Sequence, residues 1–226
     1  RLVTGAHRAR CGNRRSGMTL VEIMIAMGIG TVLLGSLVSV TKSSQDAYQS
    51  SLRPLELETR ARRAVADIVD ELKGINVLSM WEEDPTSVFG VNRMKYRHVT
   101  GIDANGALVS GVENRLQWMR DPQELDDDID NDGDGLIDEG RVVLTRDEGG
   151  PSERQVVLCH GVPELMEGEL DNVADDNGNG MVDETGFMLR RENALVTVWI
   201  TVEGIGGDGR LVQRSVETSV RLRNGL

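Results

Sequence analysis

Two stretches of this chain carry side-chain oxygens at a spacing suited to gripping a hard cation. Residues 124–144 read ELDDDIDNDGDGLIDEGRVVL and residues 169–189 read ELDNVADDNGNGMVDETGFML, copies of each other 45 positions apart. Within them Asp130, Asp132, Asp134, Gly135 and Asp138 match Asp175, Asn177, Asn179, Gly180 and Asp183. A loop with oxygens at places 1, 3, 5 and 9 that turns at a glycine in place 6 points alternate side chains inward, and a calcium ion takes about 6–8 oxygens at ~2.3–2.6 Å. The backbone carbonyls of Leu136 and Met181 fall at place 7, and the apolar side chains of Ile137 and Val182 at place 8 are expected to anchor the loops to the core. Calcium is expected over magnesium, which keeps its waters and rarely occupies an all-protein cage.

This spacing resembles the EF-hand loop, with one departure. Place 12, a bidentate Glu in that pattern, is Arg141 in one copy and Gly186 in the other. The loops are more similar to the shorter EF-hand-like calcium loops of bacterial exported proteins. That resemblance implies a carboxylate at the tenth place closing the shell, where Glu139 and Glu184 stand. A register starting at Asp128 with Glu139 at place 12 is open to the first copy alone; the repeat favours the shared register. Two Ca2+ sites are therefore expected, as insertions at about 124–141 and 169–186 in a head built of strands.

Charge follows the same division. The 226 residues hold 25 Lys+Arg and 37 Asp+Glu, a formal net charge of −12. Residues 121–140 contribute ten acidic and no basic side chains, and 167–184 contribute seven and none. The remaining acidic residues number 20, so the scaffold between the loops is near neutral. A chain of this sign repels the phosphate backbone, and nucleic acid is not expected as a main partner. Hydrophobic residues at 39% and charged residues at 27% are ordinary for a folded protein. Aromatics at 3% leave the core to Val, Leu, Ile and Met. The two cysteines, Cys11 and Cys159, exclude a disulfide-dense scaffold, and Cys159 is expected as a buried thiol.

The N-terminus is of another kind. Residues 1–17 hold five arginines and no acidic residue, and Met18 to Val40 then runs for 23 residues with a single charge, Glu22. As a helix at about 1.5 Å per residue this segment would cross a hydrocarbon core ~30 Å thick. The basic flank predicts that residues 1–17 stay cytoplasmic and that the rest lies outside. A lone carboxylate in hydrocarbon costs about 2.5–3.5 kcal/mol on insertion scales and needs a partner. Gly17 followed by Met18-Thr19-Leu20-Val21-Glu22-Ile23 resembles the leader junction of type IV pilins and type II secretion pseudopilins. The resemblance implies that a prepilin peptidase cuts between Gly17 and Met18 and methylates the new terminus. It also implies that Glu22 pairs with the terminal amine of a neighbouring subunit in a fibre.

An α+β architecture should position these sites: a long N-terminal helix, apolar over 18–41 and amphipathic over 42–74, packed on an antiparallel sheet built from 75–226. Ala61, Ala64, Val65, Ile68 and Leu72 form one apolar stripe, Gly74 is a natural stop, and Pro54 is expected to kink or divide the helix. Strands are expected at residues 116–120, 141–146, 155–162, 194–202 and 211–223. In the fourth of these Val196, Val198, Ile200 and Val202 alternate inward, and in the fifth Val212, Val216, Val220 and Leu222 do so. The last run, Glu217-Thr218-Ser219-Val220-Arg221-Leu222-Arg223-Asn224, resembles the C-terminal strand of PilW-type minor pilins and, more loosely, that of GspJ-type pseudopilins. His7, His98 and His160 show no nucleophile or zinc spacing, and no enzyme is expected. The expected protein is a minor pilin of the bacterial inner membrane and then of a pilus, partnered by other pilins. The alternatives are a type II secretion pseudopilin, or a membrane-anchored calcium-dependent adhesin outside any fibre.

Overall fold

The computed structural model describes residues 17–81 and 90–222, with the backbone alone for residues 49–51 and 77. Residues 1–16 of the basic leader expected over 1–17, with His7 and Cys11, and the end of the C-terminal run at Arg223-Asn224 lie outside the described residues. Among the described residues the elements are α1 (Leu20–Leu72), β1 (Ile75–Trp81), β2 (Arg93–Ile102), β3 (Leu108–Arg120), β4 (Gly140–Arg146), β5 (Arg154–Val162), β6 (Phe187–Glu192), β7 (Leu195–Ile205) and β8 (Leu211–Arg221). The chain divides into two units, residues 1–45 and 46–226.

In the first unit α1 is apolar on every side. Its best 18-residue window has a mean hydropathy of 2.2, and none of that window is buried. A helix so long and apolar can cross a membrane. Three of its hydroxyls bond within the helix: Thr31 donates to the Gly28 carbonyl at 2.8 Å, Ser36 to Leu33 at 2.8 Å and Thr41 to Leu37 at 2.9 Å. This back-bonding is how Ser and Thr are tolerated inside an apolar helix.

In the second unit α1 changes character. Leu57, Ala61, Ala64, Val65, Ile68 and Leu72 are all buried, the expected stripe and one residue more. Its outer face carries pairs such as Arg62 with Glu58 at 2.7 Å. Pro54 does not divide the helix, which runs through it. Interior proline costs about 3 kcal/mol or more in lost hydrogen bond and ring clash. The turns after it are held by tertiary packing, beginning with Leu57, which is fully buried. The helix stops before Gly74, where a Cβ would stand 2.5 Å from His98 Nδ1.

The strands form two antiparallel sheets, one of order β1-β2-β3-β4-β5 and one of order β6-β7-β8. Each expected strand is present, but the sequence reading did not place β1, β2, β6 or the first half of β3. A single core joins the helix stripe to both sheets: Met94, Tyr96, Leu116, Val142 and Leu144 from one, Phe187, Leu189 and the Val196, Val198, Ile200, Val202 row from the other. Val220 and Leu222 are buried as expected, while Val212 and Val216 pack at the core's edge. The bridge Val91–Leu189 ties the approach to β2 to β6, through hydrogen bonds of 2.9 and 2.8 Å. Full burial of one such aliphatic side chain is worth about 1.5–3 kcal/mol.

One polar cluster fastens the helix to the larger sheet. Glu71 accepts from the Tyr96 hydroxyl at 3.1 Å, lies 3.0 Å from His98 Nε2 and pairs with the Arg146 guanidinium. Burial pushes the Glu71 carboxyl up, but the His98 hydrogen bond, the Arg146 charge and the Tyr96 hydroxyl together hold it below its ordinary value of 4.5. A carboxyl with a depressed folded-state pKa stabilises fully above its unfolded value and loses that contribution as pH falls through the folded one. Glu71→Gln should therefore cost about 1–3 kcal/mol at neutral pH. In thermal unfolding the gap between variant and wild type should be widest at pH 7 and close by pH 3; a gap that does not change with pH would refute this account of the cluster.

Candidate functional site

The two loops are built on the same frame. In each, the carboxylate at place 1 accepts from two amides ahead of it. Asp130 takes Gly133 N at 2.6 Å and Gly135 N at 3.0 Å; Asp175 takes Gly178 N at 2.6 Å and Gly180 N at 2.8 Å. Place 5 repeats the device, with Leu136 N on Asp134 and Met181 N on Asn179, both at 2.9 Å. The glycines at places 4 and 6 have φ of 81° and 95° in the first loop and 77° and 87° in the second. Such left-handed positions are reached cheaply by glycine alone. These bonds recur at matching positions of the two copies, with Asp130 and Asp175 at the head of each loop.

The structure brings most of the expected first-loop ligands together, and one more. Ligand atoms of Asp132, Asp134 and Glu139 lie within 4.8 Å of one another, as do those of Glu124, Asp130 and Asp132. Glu124 was not among the sequence candidates. It is buried, and its carboxylate accepts from the amides of Asn131 and Asp132. Glu169 holds the same place in the second loop, accepting from Asn177 N at 3.0 Å and Asp183 N at 3.2 Å. The signal was present in the Glu-Leu-Asp that opens both copies, six residues before place 1.

Asp138 and Asp183, expected at place 9, are turned to another task. Asp138 accepts from Asp128 N at 2.8 Å and Asp127 N at 3.3 Å, with Arg120 at 3.1 Å. Asp183 takes Val173 N at 2.9 Å and Asn172 N at 3.2 Å. Both clamp the entry of their loop to its exit. Anchoring also differs from expectation by one residue. Place 7 is buried, through Leu136 and Met181, while Ile137 at place 8 is exposed. The Leu136 side chain approaches Gly161, and Met181 packs with Met166, Met188 and Trp199.

Glu139 and Glu184 are the chemically anomalous residues. They are 4% and 1% exposed. Among the described residues Glu139 Oε2 and both carboxylate oxygens of Glu184 have no hydrogen-bond partner. Burial pushes the Glu139 carboxyl up to about 7, with the charges of Asp134, Glu124 and Asp132 adding to it. Burial raises Glu184 as well, with Glu169 and Asp175 adding and Asn179 opposing. Beside the first loop a cleft of about 380 Å³ runs between its acidic wall and Arg53 and Arg60 of α1, with the buried Glu203 of β7 at its side. Cys159 is buried in β5 with its thiol pushed up to about 12, far from a thiolate.

At the N-terminus Glu22 has a local partner that the sequence reading did not see. Its carboxylate reaches the Thr19 amide at 3.4 Å while the Thr19 hydroxyl takes the Glu22 amide at 3.3 Å. This reciprocal pair is a capping box, readable from Thr-Leu-Val-Glu, and it starts α1. Residues 12–38 match the family model described as the prokaryotic N-terminal methylation motif. That match and the apolar helix together fit a pilin- or pseudopilin-like protein anchored in the inner membrane, processed by a prepilin peptidase and assembled with other pilins. Neither the curated proteins nor the solved structures contain a match to the chain.

The clamp at place 9 is open to test without any ion. Asp138→Ala leaves two amides without their acceptor and takes one carboxylate from Arg120, which keeps Asp126 and Glu164, and should lower stability by about 1–3 kcal/mol. Chelator-treated protein should show the loss in thermal unfolding. An unchanged midpoint would mean that Asp138 does not hold the loop shut.

Proposed function

We propose that this chain is a minor pilin, a structural or fibre-initiating subunit of a type IV pilus. In this reading the head lies outside the cytoplasm and carries two bound calcium ions. The observation that carries the reading is the methylation motif over residues 12–38, followed directly by an apolar helix long enough to cross a membrane. Cleavage between Gly17 and Met18 frees an amine beside the one charge of the apolar segment, Glu22. A carboxylate and an ammonium that each lose water in an apolar bundle stabilise one another far better than either stands alone. The C-terminal run at 217–224 supports the PilW-type subgroup. The same N-terminus suits a type II secretion pseudopilin, which differs in the machine served and not in this chemistry. The role proposed is structural; His98 is engaged by Glu71 and His160 sits 3.9 Å from Asp121.

Glu22 separates assembly from mere helix capping. Glu22→Gln keeps a side-chain oxygen for the Thr19 amide and removes the charge; Glu22→Ala removes both. Both variants should insert in the membrane, and both should be recovered in sheared fibres at a small fraction of the wild-type level. Normal incorporation of the Gln variant would reduce Glu22 to a cap and overturn the assembly reading.

A further inference from the structure

We infer that the two loops are cation sites of unequal strength, and that the difference resides in Asp132 and Asp134 against Asn177 and Asn179. The inference rests on the calcium reading above and adds which site fills first. Three observations carry it. Each loop encloses a buried carboxylate with oxygen left unpartnered among the described residues, Glu139 Oε2 in one and both oxygens of Glu184 in the other. A cation is the group that would complete them, since an unpaired buried charge is strongly unfavourable. The frames share their main bonds, with the same amide bonds at places 1 and 5 and the same outside carboxylate, Glu124 or Glu169. The charge differs. The first loop gathers Glu124, Asp130, Asp132, Asp134 and Glu139, five carboxylates in two overlapping groups, whereas the matching positions of the second are Glu169, Asp175 and Glu184 with the neutral amides Asn177 and Asn179.

Affinity for calcium at such loops is tuned by the charge count of the ligands and the rigidity of the site. With the frame held constant, charge decides, and the first loop is the tighter site. Placement gives the difference a use. The first loop joins β3 to β4 inside one sheet, whereas the second joins β5 to β6 and carries the chain from one sheet to the other. Met181 at its place 7 packs on Met188 and Trp199 of the smaller sheet. The site that fills at the higher calcium concentration is thus the one on the connection between the two sheets.

The test is calorimetric titration of the full-length chain in detergent micelles with calcium chloride alone. Two steps are expected, one ion each, with dissociation constants separated by about tenfold or more. Asn177→Asp with Asn179→Asp should bring the weaker step toward the tighter one. Asp132→Asn with Asp134→Asn should weaken the first step to the level of the second. Asn keeps the oxygen that caps the following amide, so both pairs preserve the loop frame. Two equal steps that ignore these exchanges, or a second loop that fills first, would overturn the inference and leave the calcium reading intact. Absence of any binding at millimolar calcium would overturn both.

Discussion

A carboxylate buried without a hydrogen-bond partner is among the least favourable groups a fold can hold. At the exit of each acidic loop this head buries a carboxylate with oxygen left unpartnered among the described residues, Glu139 Oε2 and both oxygens of Glu184. Glu139 stands next to the first residue of β4 and Glu184 three residues before β6. Neither can retreat to solvent without pulling its strand out of the core, because Val142, Leu144, Phe187 and Leu189 follow directly and are buried. The strands therefore fix the carboxylates where they stand, facing the other loop oxygens. The negative charge of the chain is the trace of this constraint in its composition.

The single helix shows the same economy of placement. Its first half is apolar all round and its second half apolar along one stripe, so one continuous element serves two surroundings. Where the stripe ends, Glu71 exchanges hydrophobic contact for a polar fastening to Tyr96, His98 and Arg146. At the other end Thr19 and Glu22 close the first turn on each other. Both ends are set by carboxylates whose neighbours, rather than whose own chemistry, decide their role.

The sequence showed periodicity well and partnership poorly. The Ala61 to Leu72 stripe and the Val196 to Val202 alternation were legible because burial imposes a strict period on either element. Strands β1 and β2 were not, because INVLSMW lacks alternation and RMKYRHVTGI buries only Met94 and Tyr96, too short an alternation to stand out. Pro54 read as a break because its local cost is real, yet packing from Leu57 onward carries the helix through it. In the loops, spacing located the glycine turns and the side-chain oxygens at places 1, 3 and 5, and the resemblance to shorter calcium loops pointed to the carboxylates at place 10. It could not distinguish a ligand from a clamp: Asp138 and Asp183 bind amides, and Glu124 and Glu169, outside the loops, turn toward them. That distinction depends on the fold of the backbone around the loop, which spacing alone does not encode.

The central claim is that the head's buried carboxylates are completed by calcium. Thermal unfolding of the full-length chain in detergent, with millimolar calcium and then with excess chelator, tests it most directly. Calcium should raise the melting midpoint by several degrees, reversibly, and replacing Glu139 and Glu184 together by Gln should abolish most of that rise. A midpoint that is the same in calcium and in chelator would contradict the account.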